Sequence, residues 1–324
     1  MRQFALPHQT EILPVLSPAH PLWLVGFRPF FALACLAGLS LPIAWILIFK
    51  GVLPAPAQHF SPVQWHAHEM FFGFGWAVLG GFLLTSTKNW VGVRGYHGAT
   101  LMFLAAAWVV ERIGMSFGGG WPLPLFLLSN NLFLCSIVVL LLATLIRNRD
   151  KDSYRRDNIF FLIVLPLFWI AKTLLLSPEH FNLGWSMALG IFRVAFLVML
   201  ERTLGQFMRG AFQVDILRQP ALDLAIKVLA IVLVFTALLP AALAHGLELV
   251  LAALLLGRFV FWHPLKGFRR IDIGIMYLGY LAIVAQLLID ALPPPGATGW
   301  VGTVGVHVFT FAAMGLVIPA MIIR

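Results

Sequence analysis

The densest group of residues that could do chemistry is Trp65-His66-Ala67-His68-Glu69-Met70, at the start of an apolar run. Its two imidazoles, carboxylate and thioether are ligands of the kinds that hold a transition metal or haem iron. On a regular helix, His66, Glu69 and Met70 share one face through i,i+3 and i,i+4 spacing. His68 then points elsewhere, so the two histidines have different partners or the first turn is unwound. The structural alternative is an interfacial cluster that satisfies a helix N-terminus.

His307 is the second candidate, about six residues inside the last apolar run. Its depth matches that of His66 and His68 on the second run, so a ligand from each helix can meet in one layer. The alternative is structural, since a single histidine in a membrane helix commonly hydrogen-bonds a neighbouring helix. The shared depth favours the metal-site interpretation.

Charged residues inside the apolar runs are the third group, because a charge within the bilayer is costly unless it is paired or functional. Arg193 lies nearest a bilayer midpoint and requires a partner, either a carboxylate such as Glu111 or an anion such as a haem propionate. Asp223 and Lys227 are spaced i,i+4 and can neutralise each other. The full set is Glu111, Arg112, Lys172, Arg193, Asp223, Lys227, Glu248 and Arg258.

The composition indicates that membrane helices position these residues. Of 324 residues, 60% are hydrophobic and 11% are charged, and the mean hydropathy is +0.92. An ordinary soluble domain has about 25% charged residues, so too little polar sequence is present to coat a water-facing surface. This excludes a soluble globular enzyme, a disordered chain and a fibrous repeat, and the long apolar runs favour helices over a barrel.

About ten runs are long enough to span a bilayer as helices. The sequence therefore predicts an all-α, polytopic helical bundle in contact with lipid. It is organised as one transmembrane domain over residues 1–324, with a short cytoplasmic segment at residues 1–22. The predicted spans lie near residues 24–49, 67–87, 99–117, 123–146, 158–177, 184–204, 222–244, 245–262, 273–292 and 300–323.

Basic residues occur in every second loop, and this alternation predicts the orientation. They follow spans two, four, six, eight and ten, whereas the other loops have Lys50 as their main cation. By the positive-inside rule the N-terminus and residue 324 are cytoplasmic, and the net charge of +9 needs no nucleic acid to explain it. These loop cations are Lys88, Arg94, Arg147, Arg149, Lys151, Arg155, Arg156, Arg209, Arg218, Lys266, Arg269, Arg270 and Arg324.

Several motifs occur together in an order that resembles a known family. Phe27-Arg28-Pro29-Phe30-Phe31 opens the first run, and Trp65–Met70 leads through Gly80-Gly81-Phe82-Leu83-Leu84-Thr85 to Asn89-Trp90. Near the end come Leu278-Gly279-Tyr280 and His307 with Thr310, Gly315, Met321 and Arg324. This order resembles the NnrS family of bacterial haem- and copper-containing inner-membrane proteins linked to nitric oxide metabolism.

The resemblance implies bound haem and copper, nitric oxide or a related small neutral ligand, and an electron donor that the sequence does not identify. It implies a role in denitrifying and nitrosatively stressed bacteria, with catalysis, sensing and protection all open. Since no CxxCH motif occurs, the haem would be non-covalent. The site residues that the resemblance implies are His66, His68 and His307, with Glu69 as a ligand or a residue that supports one. Met70, from the ligand cluster, and Arg193, from the intramembrane charges, are added as a metal candidate and a cofactor contact on the residues alone.

Two departures from the family pattern accompany the resemblance. Members commonly have Gly-Gly-Arg and a proline near the end of the middle helix, where this chain has Leu200-Glu201-Arg202-Thr203-Leu204-Gly205. They also commonly have about twelve spans, against about ten runs of spanning length here.

The main alternative function is a secondary transporter that uses the intramembrane acids and bases for a proton or anion pathway. It accounts for Arg193, Asp223 and Lys227, but it does not account for the histidine cluster, and no paired broken helices are evident. A respiratory haem–copper oxidase or nitric oxide reductase core would need more histidines within the membrane than this chain supplies.

Overall fold

The computed structural model describes residues 13–56, 60–152, 155, 158–292 and 303–323, which form helices and connecting loops without β-strands. Ten of these helices are long and apolar enough to cross a membrane, which confirms the polytopic all-α bundle. Residues 1–12 of the predicted N-terminal segment, residues 300–302 of the last span, Arg156 and Arg324 lie outside the described residues. The spans are α1 (Phe27–Phe49), α2 (Pro62–Val91), α3 (Ala99–Gly120), α4 (Leu123–Arg147), α5 (Ile159–Leu176), α6 (Phe181–Phe212), α7 (Pro220–Leu238), α8 (Ala241–Phe261), α9 (Ile271–Ala291) and α10 (Val304–Ile322).

Helix α2 begins at Pro62 rather than near residue 67, because a capping box defines its start. The Ser61 hydroxyl accepts a hydrogen bond from the Gln64 N–H at 3.3 Å, and the Gln64 side chain accepts one from the Ser61 N–H at 2.8 Å. Pro62 occupies the first turn, where its missing N–H costs nothing. The Trp65–Met70 segment therefore lies within the helix, and its first turn is not unwound.

The boundary between α7 and α8 also differs from the prediction, which divided spans seven and eight between residues 244 and 245. Helix α7 ends at Leu238 in a 3₁₀ turn, and α8 begins at Ala241. Pro240 caps α8 in an extended conformation, with φ −56° and ψ 137°. A proline cannot donate the hydrogen bond that would continue α7, so the break falls at this residue.

The chain divides into two compact units, residues 1–169 and residues 170–324, named here the N-terminal unit and the C-terminal unit. In the N-terminal unit, α2 packs against α1 and α4, and α3 packs against α4. In the C-terminal unit, α9 packs against α8 and α10, and α6 packs against α7. Helix α5 contains the division between the units.

Two glycines of α2 allow neighbouring helices to approach closely, as small residues commonly do at helix interfaces in membranes. A Cβ on Gly80 would lie 2.9 Å from the Ile137 side chain of α4. A Cβ on Gly81 would lie 2.7 Å from the Cβ of Phe30 on α1. The two glycines thus place α2 against two different helices.

Two of the described spans contain a seven-residue π-helix, Glu69–Gly75 in α2 and Val308–Met314 in α10. Each begins directly after a histidine that the sequence analysis selected, His68 in the first case and His307 in the second. A π-turn holds more residues than an α-turn, so it changes the direction of the side chains that follow it. Such turns occur frequently at functional sites.

Candidate functional site

A buried group of polar side chains surrounds His68 in the N-terminal unit, and its ring is completely enclosed (0% exposed). The Nδ1 atom lies 3.2 Å from Glu69 Oε1, and Nε2 lies 3.1 Å from Asn130 Nδ2 and 3.5 Å from Glu111 Oε1. Because the Asn130 amide nitrogen can only donate, Nε2 accepts and Nδ1 carries the proton towards Glu69. This group, called the His68 cluster, consists of His68, Glu69, Glu111, Arg112 and Asn130.

Arg112 joins the two carboxylates of the His68 cluster. Its Nε lies 3.2 Å from Glu69 Oε2, and its Nη2 lies 2.8 Å from Glu111 Oε1. Glu69 and Glu111 are both almost fully buried, and a buried carboxylate is tolerated only when it is paired. The cluster therefore ties the start of the π-helix in α2 to the middle of α3.

Gly73 makes room for the Arg112 guanidinium, since a Cβ at this position would overlap Arg112 and lie 3.0 Å from Glu69 Oε2. The Gly73 carbonyl accepts a hydrogen bond from Trp108 Nε1 at 2.8 Å. Arg112 also lies over the Trp108 ring, 5.5 Å from its centroid. Gly73 thus makes room for the polar cluster.

His66 has a different environment from His68, as the sequence predicted. Its ring stacks on Trp45 of α1 with centroids 4.4 Å apart and an interplanar angle of 11°. Glu69, which was expected to share a face with His66, contacts His68 and Arg112. The shared face of His66 and Glu69 stays a prediction. Met70, which follows Glu69 in the sequence, is half-buried.

His307 lies in the C-terminal unit, where its side chain is exposed. Its Nδ1 lies 2.7 Å from the Thr303 carbonyl oxygen, and its ring stacks with Phe311 at 6.1 Å. A carbonyl oxygen only accepts, so Nδ1 carries the proton and the lone pair of the neutral ring is on Nε2. His66 and His68 belong to the other unit, and the shared layer expected for the three histidines stays a prediction.

Arg193 has buried partners within the C-terminal unit. Its Nη1 donates to Gln286 Oε1 at 3.1 Å, and its Nη2 donates to the Leu233 carbonyl at 3.3 Å. Glu248 and Asp290 lie close enough to interact with the guanidinium electrostatically. Glu111, the carboxylate suggested from the sequence, is instead paired with Arg112.

A second charged group in the C-terminal unit is centred on Glu201, which the sequence analysis did not select as an intramembrane charge. Lys227 Nζ donates to Glu201 Oε1 at 3.1 Å, and Arg258 Nη1 donates to Glu201 Oε2 at 3.3 Å. Arg258 also lies 3.5 Å from Asp223 Oδ1, so Asp223 and Lys227 each have an ion-pair partner on another helix. The sequence feature that could have identified Glu201 is that it is the one acidic residue within residues 181–212 of α6.

The described residues contain no group of three or more His, Cys, Asp or Glu side chains arranged to hold a metal ion. In the His68 cluster, both imidazole nitrogens and three of the four carboxylate oxygens have side-chain contacts. His307 differs, because its ring is exposed and its Nδ1 contacts a backbone carbonyl. An imidazole held in this way fits a ligand to haem iron at His307, and the described residues do not provide a three-ligand group for copper.

The chain matches a known protein family over most of its length. The family described as NnrS protein matches residues 21–324, which include both histidine-containing π-helical spans. No curated protein and no solved structure matches the chain.

We expect Gly73→Ala to destabilise the protein by about 1–3 kcal/mol, because the new methyl group must displace the Arg112 guanidinium from two buried carboxylates. Gly246→Ala is the matched control, since no atom lies within 4 Å of a Cβ there and alanine favours a helix. Denaturant unfolding of the purified protein in detergent measures both. Equal stability of the two variants would contradict the proposed role of Gly73.

We expect Glu201→Ala to lower the free energy of unfolding by about 3–5 kcal/mol, because it leaves Lys227 and Arg258 buried without their common partner. Asp215→Ala is the control, since Asp215 is 74% exposed in its ion pair with Arg209. Its loss should change stability by no more than about 0.5 kcal/mol. If both substitutions have the same small effect in the same unfolding assay, the Glu201 group does not stabilise the C-terminal unit.

Proposed function

The chain belongs to the NnrS family and is a multi-pass membrane protein with a nitric-oxide-related role, and we propose that it performs this role by binding haem without a covalent bond. Haem iron, when bound, supplies a coordination position for nitric oxide or a related small neutral ligand. The proposed location is the bacterial inner membrane, with the N-terminus in the cytoplasm. Lipid surrounds the ten spans, and the electron donor is a partner outside this chain.

The observation that carries the proposal is the hydrogen bond between His307 Nδ1 and the Thr303 carbonyl. Histidines that bind metals commonly donate one ring N–H to a carbonyl, which fixes the tautomer and orients the other nitrogen. The Nε2 atom of His307 is therefore prepared to act as a ligand. The π-helix Val308–Met314 begins at the next residue, as is frequent at functional sites.

Within this proposal, the other site residues have different roles. His68 and Glu69 are held by Arg112, Asn130 and Glu111 in the observed arrangement, so they order the π-helix of α2. His66 and Met70 are the remaining candidate ligands of that segment. Copper, which the family resemblance implies, is assigned to no side chains because no three-ligand group is present among the described residues.

The charge around Arg193 favours a structural guanidinium over a contact to a haem propionate. Glu248 and Asp290 already place two carboxylates near this one cation. A third carboxylate would add uncompensated negative charge to a buried site. Arg193 Nε makes no hydrogen bond to a described residue and is the atom at which an anion would bind.

A secondary transporter is the second candidate function. The buried charged residues around Arg193 are the observation that favours it. Arg193 and Glu248 are both almost fully buried. Neither Arg193 Nε nor Glu248 Oε2 has a hydrogen-bond partner among the described residues. Buried charged side chains with such atoms are typical of transport pathways in membrane proteins. In this alternative the protein is isolated without haem.

The haem proposal predicts that His307→Ala, purified from cells supplied with haem, loses at least about 90% of the Soret absorbance per protein, since the residue that would hold the iron is removed. The wild-type band should shift on reduction and on addition of nitric oxide. His97→Ala is the matched control, because His97 Nδ1 also contacts a backbone carbonyl, that of Gly95 at 2.9 Å, but no π-helix follows it. It should retain the full band.

Three outcomes would decide against parts of the proposal. An unchanged Soret band in His307→Ala removes His307 as the ligand. Equal losses in His307→Ala and His97→Ala attribute the effect to general instability. A colourless wild-type protein, free of iron after expression with haem, overturns haem binding and favours the transporter.

A further inference from the structure

A concave pocket lies at the basic end of the N-terminal unit, between the last turns of α2 and α4 and the loop after α2. Its volume is about 210 Å³. Three cations line it, Lys88 from α2, Arg94 from the loop and Arg147 from α4, and its described lining residues include no aspartate or glutamate. None of the three cations is ion-paired with a carboxylate in the described part of the chain.

The wall of the pocket is held in place by hydrogen bonds and close packing. The Tyr96 hydroxyl donates to the Leu140 carbonyl at 3.1 Å and lies 2.9 Å from Thr144 Oγ1, which attaches the loop to α4. A Cβ on Gly95 would lie 2.7 Å from Lys88 Cδ, so the aliphatic part of Lys88 packs directly on this glycine. The ammonium group is therefore positioned by the loop.

The ends of the two helices do not account for the cations. A helix C-terminus carries partial negative charge on its last carbonyl groups and attracts basic side chains. Here the Lys88 carbonyl already accepts hydrogen bonds from the Gly92 and Val93 N–H groups. The Thr144 carbonyl accepts from the Asn148 backbone at 3.2 Å and from its side chain at 2.9 Å. Three full positive charges exceed what these capped ends can balance.

We propose that this pocket binds the phosphate group of an anionic molecule. Two guanidinium groups can each donate paired hydrogen bonds to phosphate oxygens, and a lysine adds a point charge. Leu84 and Leu141 form apolar parts of the lining, which reduces solvent screening of these contacts. Basic pockets between membrane helices commonly bind lipid head groups, and a soluble phosphate presents the same chemistry.

The test uses the purified full-length protein in a neutral detergent, titrated with phosphatidylglycerol, phosphatidylcholine or inorganic phosphate and followed by native mass spectrometry. Saturable binding of phosphatidylglycerol but not of phosphatidylcholine supports the pocket. Tighter binding of inorganic phosphate than of phosphatidylglycerol assigns the ligand to a soluble phosphate, and tighter binding of the lipid assigns it to a lipid head group. Absence of saturable binding for every probe, or equal binding of the neutral lipid, overturns the proposal.

Two double substitutions test whether the anionic probe binds in the pocket. The double variant Lys88→Gln/Arg147→Gln should bind the anionic probe about 25-fold more weakly, at roughly fivefold per cation. The control Lys266→Gln/Arg269→Gln removes the same charge from exposed residues outside the pocket and should bind normally. An equal loss in this control assigns the effect to net charge and overturns the proposal.

A third variant guards against failure of the double variant to fold. Arg94→Gln changes one exposed loop residue and should weaken binding about fivefold with an unchanged unfolding temperature. Normal affinity in Arg94→Gln, together with normal affinity in a folded double variant, also overturns the proposal. The assay does not depend on haem, so its outcome is separate from that of the proposed function.

Discussion

A charge buried within a membrane-spanning segment must be compensated by neighbouring side chains, and this constraint organises the polar part of each unit. In the N-terminal unit, Arg112 of α3 contacts both Glu69 of α2 and its neighbour Glu111. In the C-terminal unit, Glu201 of α6 contacts Lys227 of α7 and Arg258 of α8. These polar contacts act together with the close packing at Gly80 and Gly81 in bringing particular helices together.

The same constraint separates the roles of the two histidines at which π-helices begin. His68 lies beside a guanidinium and two carboxylates, and both of its ring nitrogens contact other side chains. Among the described residues, the hydrogen bond recorded for the His307 ring joins Nδ1 to the Thr303 carbonyl, which leaves Nε2 for a ligand in the proposed site. Equal membrane depth was the reason for grouping these histidines, but the number of free nitrogens is a sharper criterion for ligand function.

The sequence predicted the fold because apolar length and loop charge are local properties of the chain. All ten spans were identified in this way, and the different environments of His66 and His68 followed from helical periodicity. The pairing of Glu69 with Arg112 could not be predicted, because it depends on which helices are adjacent. The capping box at Ser61 and Gln64 was readable from the sequence and would have corrected the start of α2. No comparable local signal predicts a π-helix.

The cations of the chain fall into groups according to the contacts that their side chains make. Arg112, Lys227 and Arg258 each contact a carboxylate, and their charge is balanced within the fold. The cations of the basic loops are explained as a group by the positive-inside rule, which concerns their side of the membrane and requires no particular geometry. Lys88 departs from this pattern, because its side chain packs on Gly95 and lines a cavity with two further cations. A cation that served only the orientation of the chain would need neither the glycine nor the tyrosine that holds the loop beside it.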